Sequence, residues 1–344
     1  MSETTSLTFE ALHGLIDEIF INAGFSAAAA GSLARTLTAA ERDACKSHGV
    51  YRIEGCLRTV RAGKVIPDAE PVVEDDGSSI IRVDARGNFS GPAFDLGAPL
   101  VAARAKELGV AALVINRCTH FSALWPEVEA LAGMGVASLA MCPSYATVAP
   151  SGGNKPLLGT NPLAFGWPRP GQNPYVYDFA TSVAARGEIE LYQQAGRQLP
   201  PGWAVDGEGN PTTDPTEALA GAMLPFGGHK GSAISTMIEL LAGPMIGDLT
   251  SAEALDQLGT TRLAPQHGEL VLAFSPERFA AGRRGDPFAR AEVLLEAIAG
   301  QGTRLPSQRR FTARAKAMSD GIVLTQEEMA LLERLRREGL DAVQ

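Results

Sequence analysis

The chain has 344 residues, 45% of them hydrophobic and 20% charged, with a formal net charge of −9. That length supports a large buried core and two or three structural units. The acidic balance speaks against a nucleic-acid partner, which needs a basic surface, but leaves room for a local basic pocket around an anionic substrate.

The first 63 residues carry helical patterning. Phe9, Leu12, Ile16, Ile19 and Phe20 recur at helical spacing. Ser26 is placed to cap a second helix that runs towards Arg42. A third helix is expected over Gly49–Ala62, with Ile53, Leu57 and Val60 inward, ending at Gly63 ahead of Pro67. From about residue 79 strands and helices alternate. Strands are expected at Ile80–Val83, Ala112–Ile115, Val136–Met141, Val176–Phe179 and Leu270–Phe274, and helices at Pro92–Leu108, Pro126–Met134 and Gly231–Ala242. This predicts an α/β fold with a largely covered sheet. Thr325 and Glu328 form a capping-box pattern before a last amphipathic helix. The segments 143–174 and 196–229, rich in Pro, Gly and Asn, read as long ordered loops, where binding residues concentrate.

Apolar runs such as Val110–Ile115 are too short to span a bilayer, and MSETTSLTFE lacks the order of a signal peptide. Cys45, Cys56, Cys118 and Cys142 show no zinc or redox spacing. A cytoplasmic protein without membrane contact or metal is the expectation.

Five segments carry chemistry-bearing residues. In Lys46-Ser47-His48-Gly49, with Arg52, an imidazole and a guanidinium share a face if a helix begins near Ser47. That pair suits a substrate bearing a carboxylate beside an atom that needs a proton. The same residues also read as an N-cap and a surface ion-pair partner. In Leu224–Gly231, glycines bracket His229 and Lys230 at a helix start, which fits either phosphate binding or a plain junction. Pro156–Gly166 frames Thr160 and Asn161. Tyr177–Ser182 puts Asp178 at a strand end, as a ligand contact or a helix cap. Arg304–Arg310 is a basic loop. No G-x-G-x-x-G follows a strand, so a dinucleotide, if bound, is not held by the usual fingerprint.

Taken in order, KSHGVYRI at 46–53, LLGTNPLAFG at 157–166, YDFATS at 177–182, LPFGGHKG at 224–231 and RLPSQRR at 304–310 resemble the type-2 malate/L-lactate dehydrogenase family. HFSALWPEVE at 120–129 is most similar to its Δ1-piperideine-2-carboxylate/Δ1-pyrroline-2-carboxylate reductases. The resemblance implies a non-classical NAD(P)-binding α/β fold and a homodimer. Residues 1–78 with about 305–344 would form a helical substrate and dimerisation domain, and 79–304 the cofactor domain. It implies that His48 is the proton donor, with Ser47 and Glu188 as its relay, and that Arg52, Thr160, Arg186 and Gly187 contact substrate. The cofactor would lie against His120, Phe121, Ser122, Ala123 and Leu124, then Asp178, Phe179 and Ala180. It would also meet His229 and Lys230, and the loop Pro306, Ser307, Gln308, Arg309, Arg310, Phe311 and Thr312. The expected reaction is reduction of a small cyclic imino acid by NADPH, with NADH as a second possibility. Arg309 and Arg310 would meet the 2′-phosphate. The alternative is a 2-oxo acid reductase that protonates oxygen instead of nitrogen. Two positions depart from the imine-reductase pattern: Glu188 replaces an aspartate, and Ala185-Arg186 an Ala-His pair.

Overall fold

In the computed structural model, which describes residues 4–343, the centre is a seven-stranded sheet. Its order is Val72–Glu74, Ile80–Asp84, Val110–Thr119, Gln266–Phe274, Ala137–Met141, Leu163–Trp167 and Tyr175–Phe179. One neighbouring pair is parallel, Ile80–Asp84 beside Val110–Thr119, joined through the helix Ser90–Leu108. The last three strands form a meander, and Gln266–Phe274 arrives late in the chain to run antiparallel to both its neighbours. Strand–helix alternation alone did not disclose this mixed order. Hairpin connections produce antiparallel pairs, whereas a parallel pair needs a crossover.

The sheet is covered on both faces. Ser90–Leu108 and Trp125–Gly133 pack on one face, around Phe94, Val101, Leu113, Ile115, Val128 and Leu131. His229–Ala242 covers part of the other through Ile238 and Ala242 against Val114, Met141 and Leu270. Gly166 allows the close approach of Trp125–Gly133, since a Cβ there would lie 2.4 Å from the Val128 carbonyl oxygen.

A second apolar cluster joins the two ends of the chain. Leu12, Ile16 and Phe20 of the helix Phe9–Asn22 and Leu33 and Leu37 of Ala27–Arg42 meet Ile53 and Leu57 of Ile53–Arg61. Ile322, Leu324, Leu332 and Leu335 join them from the other terminus. The strand Thr4–Leu7 pairs with Ile322–Thr325. Ser26 accepts from the Ala29 amide, and Thr325 and Glu328 complete their capping box, as their spacing predicts. Residues 1–3 and 344, included in the expected terminal unit, lie outside the described residues. Among the described residues no helix is long and apolar enough to cross a membrane.

Candidate active site

The segment after the helix Ala27–Arg42 does not continue as the single helix expected over 49–62. Two short 3-10 turns, Lys46–His48 and Val50–Arg52, precede the helix Ile53–Arg61. The break is at Gly49 and its cause is Glu41. The Glu41 carboxylate is buried and accepts from the Val50 amide at 2.8 Å. It also pairs with Lys46 at 2.6 Å. A Cβ on residue 49 would lie 2.0 Å from Glu41 Oε1, so any larger residue would have to displace the buried carboxylate. The carboxylate thus fixes the loop that presents His48.

Within that loop Ser47 Oγ lies 2.9 Å from His48 Nδ1, and Arg52 Nε donates to the Ser47 carbonyl at 2.8 Å. Serine, imidazole and guanidinium form one connected unit. The His48 pKa falls to about 4, first because the half-buried ring is desolvated by its surroundings and second because Arg52 repels its charged form. A neutral ring whose Nδ1 accepts from Ser47 carries its proton on Nε2.

The unit lines a cleft of about 1190 Å³, with His120, Tyr145, Thr160, Arg186 and Arg304 among the other walls. Arg186 donates to Thr261 at 3.2 Å and lies 3.7 Å from Glu190, which approaches the Tyr51 hydroxyl at 3.4 Å. Burial raises the Tyr145 pKa against the influence of Arg186 and Arg52, so both guanidinium groups act on one region. Thr160 is held from behind. Its carbonyl accepts from the Thr181 amide and hydroxyl, and Asn161, in left-handed backbone with φ 32°, ties the turn to Ser235 and Glu239.

The cleft shares Arg304, Leu305, Pro306 and Arg309 with a side compartment of about 770 Å³. Arg304 and Arg309 are exposed and enter no ion pair among the described residues. Two adjoining compartments that hold an acid–base unit and exposed cations fit an elongated anionic cofactor beside a small acid.

The family model for malate/L-lactate dehydrogenase matches residues 7–333. The chain belongs to this family. It is 71% identical to a Δ1-pyrroline-2-carboxylate reductase of Agrobacterium fabrum, over the whole of both chains. It is 52% identical to a Δ1-pyrroline-2-carboxylate/Δ1-piperideine-2-carboxylate reductase of Pseudomonas aeruginosa, covering 95% of this chain and 99% of that one. The crystal structure of Δ1-piperideine-2-carboxylate reductase from Pseudomonas syringae superposes with a TM-score of 0.92 at 41% identity, covering 96% and 100% of the two chains.

As a member of the malate/L-lactate dehydrogenase family the chain is an oxidoreductase with a nicotinamide cofactor, and the structure sorts its expected site residues. Ser47, His48, Arg52, Thr160, Arg186 and Gly187 share the cleft. So do His120, Phe121, Ser122 and Ala123, Asp178, Phe179 and Ala180, and Pro306, Ser307, Arg309 and Arg310. Gln308, Phe311 and Thr312 line the side compartment. Leu124 is buried in the core instead.

Three further expectations change. Glu188 is exposed and outside the cleft. On the helix Arg186–Gln194 a side chain two positions from 186 and 190 points to the opposite side, so Glu190 lines the cleft and Glu188 does not, and Glu190 meets Arg186 and Tyr51, not His48. His229 and Lys230 are exposed at the start of their helix and do not reach the cleft. Arg310 is not free for a phosphate. It is buried, pairs with Asp43 at 2.8 Å and Glu129 at 2.6 Å, and stacks over Trp125. The Asp178 carboxylate is also engaged, accepting from the Leu124 and Trp125 amides at 2.8 and 2.9 Å. It caps Trp125–Gly133 across the sheet, and burial lifts its pKa to about 6 against those bonds.

The sequence reading missed Tyr145, Glu190, His267 and the buried pair Glu127 and Glu269. A signal existed for the pair. Glu269 opens the apolar run ELVLAF, and Glu127 shares a helix face with Leu131.

Proposed function

We propose that this chain is an NADPH-dependent reductase of cyclic 2-imino acids, converting Δ1-pyrroline-2-carboxylate to L-proline and Δ1-piperideine-2-carboxylate to L-pipecolate. The carrying observation is the Ser47–His48–Arg52 unit facing Arg186 in one cleft. The names of the relatives supply the substrate class.

A reduced nicotinamide, when bound, supplies hydride to the carbon of the C=N bond. Arg52 holds the substrate carboxylate, with Arg186 on the same region of the cleft. His48 serves the ring nitrogen. In the free protein Arg52 disfavours imidazolium; a carboxylate paired with Arg52 cancels much of that repulsion, so substrate binding raises the proton affinity of His48. The acid form thereby gains population where it is needed, against the burial that is the larger cause of the low pKa.

For the cofactor, Ser307 donates to the Val176 carbonyl at 2.8 Å and fixes the basic loop beside the strand end. Arg309, exposed and unpaired, is the residue for a 2′-phosphate, with Arg304 beside it. Arg309→Ala should raise KM for NADPH by roughly tenfold, the loss of about one charge-assisted contact, and leave KM for NADH unchanged. Equal effects on both cofactors would assign the arginine another role.

The substrate class is tested by following cofactor oxidation with pyruvate, oxaloacetate, piperideine-2-carboxylate and pyrroline-2-carboxylate in turn. Turnover of the two imines is expected, and consumption of the oxo acids alone would overturn the reading. A homodimer belongs to the same proposal. Support comes from Met237, Leu240 and Met245, which make an exposed apolar face on and just after the helix that begins at His229.

A further inference from the structure

Beneath the cleft lies a polar group that the reaction above does not use. His120 lines the cleft, but its Nε2 is sealed from solvent and has no hydrogen-bond partner. Glu127, on the helix Trp125–Gly133, and Glu269, on the central strand Gln266–Phe274, lie with it. One ligand atom from each of the three is within 4.8 Å of the others. His120 and Glu127 are 6% exposed and Glu269 is 0% exposed. Both Glu269 oxygens and Glu127 Oε2 lack a hydrogen bond of ordinary geometry. Three buried polar groups facing one another, with only the Ser90 hydroxyl close to Glu269, call for an account.

Two buried carboxyl groups need a compensating charge. The groups that act on this cluster are Asp95 and Ser90 from the helix Ser90–Leu108 and Asp178 from the strand Tyr175–Phe179. Cys118 and Cys142 border it, and His267 from the strand of Glu269 acts on His120. His48 and Arg52, which line the same cleft, act on His120 and are not among the main influences on the carboxyls. Among the described residues no lysine or arginine is one of the main influences on either glutamate. Burial drives Glu127 well up and Glu269 up to about 8, with the Ser90 hydroxyl opposing the latter. Burial, then His267, takes His120 down to about 3, so the ring stays neutral. The compensating charge is therefore held as protons on the carboxyls.

We propose that Glu269, with Glu127, is a positioning residue for the reductase: its carboxylic acid donates to His120 Nε2 and fixes the ring in the tautomer that carries its proton on Nδ1. Nδ1 is the ring nitrogen that is not sealed off, so His120 presents an N–H donor on the cleft side. The arrangement uses a buried acid to orient a histidine, as in catalytic triads, with the proton on the acid instead of the ring. When Glu269 loses its proton to solvent, the carboxylate becomes an acceptor. The ring proton then relocates from Nδ1 to Nε2, and the donor towards the cleft is lost.

The kinetic part of this inference rests on the imine-reductase reading; the tautomer part does not. The chain has five histidines, so 15N-histidine NMR resolves the rings, with His120→Gln giving the assignment. At pH 7 the Nδ1–H form of His120 is expected. It should persist in Glu269→Gln, whose amide still donates, and be lost in Glu269→Leu. In turnover, Glu269→Leu should lower kcat by about 10–100-fold, while Glu269→Gln stays close to wild type at pH 7. Wild-type kcat should also fall above pH 8 relative to Glu269→Gln, a comparison in which the substrate's own titration cancels. An Nε2–H ring in the wild-type protein, or superimposable pH profiles for wild type and Glu269→Gln, would overturn the proposal. So would one equivalent of a divalent metal in the purified protein, which would make the cluster a cation site. If wild type reduces no imine, the functional reading fails and the tautomer measurement still decides this one.

Discussion

Replacement of His48 by alanine is expected to cut turnover of the imino acid by about 10²–10⁴-fold, the usual contribution of a positioned acid–base group. The affinity for NADPH, read by fluorescence titration, should hardly change. The ring touches Ser47 and lies beside Arg52, not among the residues of the basic loop. The pH dependence carries the sharper test. Burial and Arg52 lower the free-enzyme pKa to about 4. A group lowered this way is neutral at pH 7, and its acid form gains population only when the bound carboxylate offsets Arg52. The profile of kcat/KM, which reports free enzyme, should therefore show the His48 limb near pH 4. The profile of kcat, which reports the complex, should show it at higher pH, with activity lost as pH rises through it. Coincident limbs would mean that substrate does not recharge the ring. Undiminished turnover in the alanine variant would remove His48 from the mechanism.

Asp43→Ala is expected to destabilise the protein by about 3–5 kcal/mol, as loss of one partner from a buried ion-pair network does. Asp43 is 2% exposed and accepts from Arg42 at 2.7 Å, from Arg310 at 2.8 Å and from Arg314 at 2.9 and 2.6 Å. Without it Arg310 keeps Glu129 alone in a buried place. Burial opposes the Asp43 charge, but the bonds from Arg314 and Arg42 prevail and hold the pKa below the ordinary 3.8. A lowered carboxylate contributes stability that is present above the unfolded pKa and lost as pH falls through the folded one. Wild type should thus lose this contribution on acidification below about pH 4, and Asp43→Asn, already without it at neutral pH, should not. Urea unfolding at pH 7 and pH 3 checks both statements. A difference under about 1 kcal/mol at pH 7, the scale of a surface pair, would show the network to be dispensable.

Features that depend on neighbours in sequence were legible. Ser26, Thr325 and Glu328 act as caps because capping is decided within three residues. The helix and strand sites along 80–141 follow their periodicities. The core order of the sheet was not legible, because strand pairing across more than a hundred residues leaves no local trace. The site shows the same division. His48 and Arg52 share the cleft, as their spacing suggests, yet the helix imagined between them is interrupted, because Glu41, eight residues before Gly49, occupies the space. Arg310 looked like a phosphate ligand beside Arg309. Its actual partners, Asp43 and Glu129, lie far away in sequence, and only three dimensions distinguish a buried arginine from its exposed neighbour. Glu188 and Glu190 are two residues apart, and the rotation of a short helix decides which one lines the cleft.

The placement of Gln266–Phe274 also bears on how the chain is made. Until residue 266 leaves the ribosome, the strands on either side of its slot have no mates along their inner edges, and each presents a row of open amides and carbonyls. Biosynthesis must therefore carry two half-built apolar layers for more than a hundred residues before one late segment zips them together. That interval is when a nascent chain of this kind is most exposed to mispairing and most dependent on chaperones.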